Sequence, residues 1–171
     1  MKGNFYEFRS GMFKGRSSDS EISRMNNGKI RVLLVEDDTP LAMMMVFALT
    51  RAGCDVDAVH TGKKAMKLAA ERKFDVIVLD ITLPDSSGFE LCSELKQRHI
   101  SRNTPIVFIS ASPSLEHLAE SQKRGAVDYI TKPFAHDDFI RRIVHHAKTQ
   151  LDAHNENHHS ERSNLGRHEK N

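Results

Sequence analysis

Four chemically distinctive groups stand at the ends of apolar runs in this 171-residue chain. Asp80 follows Phe74-Asp75-Val76-Ile77-Val78-Leu79 and precedes Ile81-Thr82-Leu83-Pro84-Asp85. Glu36-Asp37-Asp38 follows Ile30-Arg31-Val32-Leu33-Leu34-Val35. Ser110-Ala111-Ser112 follows Pro105-Ile106-Val107-Phe108-Ile109, and Lys132-Pro133 follows Val127-Asp128-Tyr129-Ile130-Thr131. Runs of β-branched residues and Leu read as buried strands of a parallel sheet. The carboxyl ends of such strands are where open α/β sheets bind ligands. If these ends lie side by side, three or four carboxylates meet one ammonium. Close carboxylates raise each other's pKa unless a cation neutralises them. Lys132 supplies one positive charge. The remaining negative excess suits a hard divalent ion, and Mg²⁺, which takes few carboxylates and keeps waters, is the expected choice.

The elements that must position these groups alternate between strand and helix over residues 29–150. Thr39-Pro40 opens the first helix, with Thr as the expected N-cap and Pro at the first helical position. Leu41, Met44, Met45, Ala48, Leu49 and Ala52 then fall at helical spacing until Gly53. Cys54-Asp55-Val56-Asp57-Ala58-Val59 alternates and reads as an edge strand, and Thr61-Gly62 opens a second helix. Ser86-Ser87-Gly88 leads into a third carrying Phe89, Leu91, Cys92 and Leu95. Leu115 to Arg124 is a weakly amphipathic fourth, closed by Gly125. Phe139, Ile140, Ile143, Val144 and Ala147 mark the last. Five βα units with right-handed crossovers give a doubly wound parallel sheet with helices on both faces. Five strands favour the flavodoxin-like order 2-1-3-4-5. That order sets the first, third, fourth and fifth strands side by side, so the four chemical ends converge.

Composition bounds the rest. The chain is 39% hydrophobic and 28% charged, as a globular domain is, and its formal charge of +2 makes no electrostatic case for nucleic acid. No apolar stretch approaches the roughly 18 residues of a membrane span. Residues 1–28 have no continuous apolar segment of the signal-peptide kind. A cytoplasmic protein without membrane attachment is the expectation. Cys54 and Cys92 have no metal-ligand spacing and read as small buried hydrophobes. Residues 1–28 read as a flexible leader and 151–171 as a polar tail, and Met25 could serve as a start.

Val35-Glu36-Asp37-Asp38, Leu79-Asp80 through Gly88, Ile109-Ser110-Ala111 and Tyr129-Ile130-Thr131-Lys132-Pro133-Phe134 together resemble the receiver domain of two-component response regulators, over residues 29–150. The resemblance implies that Asp80 is the phosphoacceptor, attacking a phosphohistidine to form an aspartyl phosphate. It implies Mg²⁺ held by Asp37, Asp80 and the backbone carbonyl of Thr82, with Glu36 acting through a water. Lys132 and the Ser110 hydroxyl would meet phosphoryl oxygens, as would the Ala111 backbone N–H. A cis Lys132-Pro133 bond is expected on the same ground. Ser110 and Tyr129 are implied as a switch, Ser110 moving toward the phosphoryl group and Tyr129 turning inward. Asp38 stays outside the metal set because Thr39 beside it reads as the cap.

The implied partners are a sensor histidine kinase or a histidine phosphotransfer protein, and an unknown downstream protein target. No separate effector domain is evident, so signalling is expected to run through protein contacts, with no enzymatic activity beyond self-catalysed phosphoryl transfer and autodephosphorylation. Asp128, Asp138, Arg141 and Arg142 could pair with a second copy, so a phosphorylation-dependent homodimer is the alternative to a heterologous partner. A Mg²⁺-dependent aspartate-nucleophile phosphatase remains a rival, but it wants an Asp-x-Asp pair on the first strand, and the residue two beyond Asp80 is Thr82. A flavodoxin would need a phosphate cradle where Glu36-Asp37-Asp38 repels phosphate. A phosphorylation-independent pseudo-receiver is opposed by the complete acid, Ser and Lys set. The His154/His158 pair, at helical metal spacing, reads as solvated tail, and His145-His146 read as surface positions of the last helix near its C-terminus. Met43-Met44-Met45 reads as core and helix surface, and Phe5, Tyr6, Phe8 and Phe13 as part of the leader.

Overall fold

The computed structural model describes residues 8–9, 28–98 and 103–165, with the backbone alone described at 8–9 and 151–165. Its strands are β1 (Phe8–Arg9), β2 (Arg31–Val35), β3 (Asp55–Val59), β4 (Val76–Asp80), β5 (Ile106–Ser110) and β6 (Asp128–Thr131). Its helices are α1 (Thr39–Arg51), α2 (Gly62–Glu71), α3 (Gly88–Gln97), α4 (Leu115–Lys123) and α5 (His136–Leu165). Strands β2 to β6 pair in parallel in the order β3-β2-β4-β5-β6, which is the expected 2-1-3-4-5. Every residue of β4 and β5 is buried, because helices cover both faces of these central strands. Met45, Leu49, Phe139, Ile143 and Ala147 of α1 and α5 close on Val32, Leu34, Val78 and Val107. Ala65, Ala69, Leu91 and Leu95 of α2 and α3 close on Leu33, Val35, Ile77 and Phe108 on the other side. Both cysteines are buried and free, and burial pushes both thiols up, which leaves them poor nucleophiles.

Three boundaries differ from the sequence reading. Phe8–Arg9 of the expected leader pair antiparallel with β3, Phe8 opposite Ala58 and Arg9 opposite Asp57. An edge strand offers a row of unpaired backbone groups, and any extended stretch within reach can satisfy them. The expectations on Phe5, Tyr6, Phe13 and Met25 lie outside the described residues, as does the end of the tail from 166 onward. Helix α5 runs past the expected domain end at 150 as far as Leu165, because residues 136–165 contain neither Gly nor Pro and Gly166 is the first breaker. Finally, Asp38 caps α1 in place of Thr39, its carboxylate accepting the Leu41 N–H at 3.0 Å. Among the described residues, the acids that lie close enough together to share an ion are Glu36, Asp37 and Asp80, and Asp38 is not one of them.

Candidate acidic site at the carboxyl edge of the sheet

Register brings the chemical ends together. Val35 lies opposite Leu79, Asp80 opposite Ile109, and Ser110 opposite Thr131. The residues just beyond the strands therefore share one edge. The Lys132 N–H donates to the Ser110 carbonyl at 2.7 Å, carrying the β5–β6 pairing one residue further, and Lys132-Pro133 is cis, as the resemblance implied.

Asp80 is 5% exposed and Glu36 is fully buried. The Lys132 ammonium lies between them, 2.6 Å from Asp80 Oδ2 and 2.7 Å from Glu36 Oε2. Asp80 Oδ1 accepts the Thr82 N–H at 2.9 Å, and Glu36 Oε1 accepts the Asp38 N–H at 3.2 Å. Asp37 is exposed at the mouth. One carboxylate oxygen from each of Glu36, Asp37 and Asp80 lies within 4.8 Å of the other two. With all three ionised, one ammonium leaves the cluster negative. Glu36 and Asp80 each already have a partner on both oxygens, and Asp37 is the acid that stands exposed at the mouth. An all-oxygen donor set of this size fits a hard divalent cation.

Burial pushes the Glu36 carboxyl up to about 7, with the neighbouring Asp80 charge adding to the rise and Lys132 opposing it. Burial also works against the Lys132 charge, but its hydrogen bonds to Asp80 and Glu36 outweigh it and raise the ammonium pKa. A raised carboxyl pKa means that the folded state binds the proton more tightly than the unfolded chain. The corresponding stabilisation is complete below the ordinary value of 4.5 and is lost as pH rises through about 7. Metal-free protein should therefore lose stability between about pH 5 and about pH 8, and Glu36→Gln should flatten that slope in a urea titration.

Ser110 is 3% exposed, and its Oγ accepts the Ser112 N–H at 3.1 Å. Ala111 and Thr82 are exposed on the loops that follow β5 and β4. Half-buried Tyr129 lies opposite Phe108 in β5, and its hydroxyl donates to the Ser112 carbonyl at 2.6 Å. Ser112 thus touches both expected switch residues, a bridging role that sequence reasoning did not find. The charged residues that could have paired with a second copy close on one another within the chain. Arg142 Nε donates to Asp128 Oδ2 at 2.8 Å, Arg142 also pairs with Asp138 at 3.5 Å, and Arg141 pairs with Asp138. Burial disfavours the Asp128 charge, yet hydrogen bonds from Arg142 and His146 hold its carboxyl below the usual range.

Two further positions shape the site. His60 Nδ1 lies 2.7 Å from the Glu36 backbone carbonyl. At Gly88 a Cβ would lie 2.2 Å from the Asp80 carbonyl oxygen and 2.8 Å from the Ile81 Cα, both rigid backbone. Gly88→Ala must therefore displace α3 or the end of β4. It should cost about 2 kcal/mol or more in chemical unfolding, within the range of core overpacking.

A family model for the response regulator receiver domain matches residues 32–144. The transcriptional regulatory protein YrkP of Bacillus subtilis is 36% identical over 114 residues, which cover 67% of this chain and 48% of YrkP. The chain spans about half the length of the curated relatives it matches, several of them transcriptional regulators. Among solved structures, a CheY-like receiver domain protein from Methanospirillum hungatei superposes with a TM-score of 0.69 at 26% identity, covering 73% of this chain and 98% of that one. A Burkholderia pseudomallei response regulator, solved with a phosphorylated aspartic acid, a calcium ion and citrate, gives 0.63 at 25% identity over 75% of each chain.

Proposed function

The chain belongs to the response regulator receiver domain family, and we propose that Asp80 takes a phosphoryl group from a histidine kinase or a histidine phosphotransfer protein. The observation that carries this reading is the buried Asp80 carboxylate sharing the Lys132 ammonium with Glu36, beside Asp37, at the carboxyl edge of the sheet.

An Asp80 carboxylate oxygen forms the new O–P bond as the P–N bond of the donor phosphohistidine breaks. The imidazole leaves with the electron pair. The site's task is positioning and charge neutralisation, since phosphoryl transfer asks little covalent chemistry of a protein. Thr82 N–H fixes Asp80 Oδ1, so the carboxylate is oriented before the donor arrives. Lys132 offers its ammonium to a phosphoryl oxygen as a point charge. The Ser110 hydroxyl and the Ala111 N–H take others. Asp37, Asp80 and the Thr82 carbonyl would hold Mg²⁺, with Glu36 acting through a water. Bound there, the ion would neutralise charge on the transferring group.

The chain acts on no separate substrate in this reading. It transfers the phosphoryl group to itself and loses it by hydrolysis. Its signal is a change in the protein contacts it makes in the cytoplasm. Asp128, Asp138, Arg141 and Arg142 pair within the chain, which favours a different protein over a second copy as the target.

The test is incubation with acetyl phosphate and Mg²⁺, read by intact-mass spectrometry. One phosphoryl adduct is expected, and EDTA added before the phosphodonor should prevent its formation. Absence of any adduct, from acetyl phosphate and from phosphorylated sensor kinases alike, would overturn the reading.

A further inference from the structure

The loop between β4 and α3 carries Thr82, whose N–H holds Asp80. Its base is closed by the Gly88 N–H donating to the Ile81 carbonyl at 2.8 Å and by the Thr82–Ser87 bridge. Leu83 is buried in the core below it. The tip, Pro84-Asp85-Ser86, reads from sequence as an ordinary turn. In the fold, however, Asp85 leaves its own loop. Its Oδ1 accepts the Gly62 N–H at 2.8 Å and its Oδ2 accepts the Lys63 N–H at 3.0 Å.

These are the first two amides of α2, which have no partner inside that helix. The next amide, of Lys64, goes to the Thr61 hydroxyl. The Asp85 carboxylate therefore completes the capping of a helix 22 and 23 residues away in sequence. Gly62 fits this junction closely, because a Cβ there would lie 2.4 Å from Ser86 Oγ. Two residues before Gly62, His60 reaches the Glu36 backbone carbonyl. A continuous connection thus runs from Thr82 through Asp85, the start of α2 and His60 to Glu36. It joins the loop beside Asp80 to the loop that bears Glu36 and Asp37.

We propose that Asp85 is a positioning residue for phosphoryl uptake, clamping the β4–α3 loop onto α2 so that Asp80 and Thr82 are held at a set separation from Glu36 and Asp37. The proposal rests on the reading of Asp80 as the phosphoacceptor and of the acidic cluster as a Mg²⁺ site. Asp85 touches no reacting atom. Its carboxylate is held below the usual carboxylate range: burial works against the charge, and the amides of Lys63 and Gly62 outweigh it. A charged acceptor makes the stronger hydrogen bonds.

The consequence is specific. With the clamp released, the two halves of the acidic cluster drift apart, and a divalent ion has to pull them together. Mg²⁺ should then bind more weakly, while the rate at saturating Mg²⁺ stays close to that of the parent chain. Removing outer partners of a metal site costs tenfold or more, so Asp85→Ala should weaken Mg²⁺ by about tenfold. Asp85→Asn, which retains one carbonyl acceptor, should fall between.

The experiment is Mg²⁺ titration of the parent chain, Asp85→Ala and Asp85→Asn, followed by the amide NMR shifts of Thr82 and Asp80 without any phosphodonor. Acetyl phosphate labelling is then measured across the same Mg²⁺ series. Hydrogen exchange at Gly62 and Lys63 reports the clamp itself. Weaker Mg²⁺ in the order Ala, Asn, parent, with faster exchange at those two amides and a restored labelling rate at high Mg²⁺, supports the proposal. A Mg²⁺ midpoint in Asp85→Ala within about twofold of the parent overturns it, and so does a labelling rate that Mg²⁺ cannot restore. If the parent chain itself takes up no phosphoryl group, the underlying functional reading is what fails.

Discussion

Asp80→Asn is expected to take up no phosphoryl group from acetyl phosphate or from a phosphorylated kinase, while unfolding at nearly the parent temperature. The side chain keeps its shape. Its carbonyl oxygen can still accept the Thr82 N–H that Asp80 Oδ1 now receives at 2.9 Å. The other position changes from a carboxylate oxygen to an amide nitrogen, which has no lone pair to offer phosphorus and cannot accept from Lys132. The ion pair at 2.6 Å is lost. Lys132 remains partnered by Glu36 at 2.7 Å, so no buried charge is orphaned. One repelling carboxylate has also gone from the neighbourhood of Glu36. For these reasons the expected change in stability is small and the change in labelling complete. Labelling of the Asn variant at the parent rate would move the acceptor to another residue.

Lys132→Met should destabilise the fold through the charges it leaves unpaired. Met fills much of the volume of the lysine stem but leaves Glu36 and Asp80 facing each other without a cation, with side-chain exposures of 0% and 7%. Removing one partner of a buried ion pair costs about 3–5 kcal/mol. The cost should be nearer ~2 kcal/mol here, because the Lys132 side chain is itself 18% exposed and Glu36 can take up a proton. Urea unfolding should show a deficit that shrinks on lowering the pH toward 5 or on adding Mg²⁺, since either neutralises the acids. A deficit indifferent to both would mean that the stem's packing, and not its charge, is what the site lost. Phosphoryl uptake should fall as well, because Lys132 is the cation that meets the incoming oxygens.

Glu36, Asp80 and Ser110 were legible from sequence because each follows a buried apolar run, Lys132 follows a short strand in which Ile130 is buried, and parallel packing allows few orders for five strands. Glu36, Asp80 and Lys132 then had to meet. What sequence could not carry was contact between loops. Asp85 sits in a Leu-Pro-Asp-Ser-Ser-Gly stretch whose turn chemistry accounts for an aspartate without any distant partner, yet its partners lie on α2. Ser112 looks like loop filler until the register places Tyr129 under it. Asp128 and Arg142 offered charges at the surface with nothing to say whether they pair within the chain or between chains, and the β6–α5 geometry pairs them within it. Asp38 and Thr39 are both good caps, and only the backbone decides between them. Phe8–Arg9 carried no alternating pattern, because a two-residue strand is too short to show one. The continuation of α5 was hidden by its polarity on every side, although the absence of Gly and Pro through 165 was there to be read.

The most direct measurement is to label the parent chain with acetyl phosphate and Mg²⁺, trap the acyl phosphate by borohydride reduction, and locate the reduced residue by peptide mass spectrometry. A single modified position at Asp80 is predicted. Modification at Glu36, Asp37 or any other residue, with Asp80 untouched, would contradict the assignment of Asp80 as the phosphoacceptor.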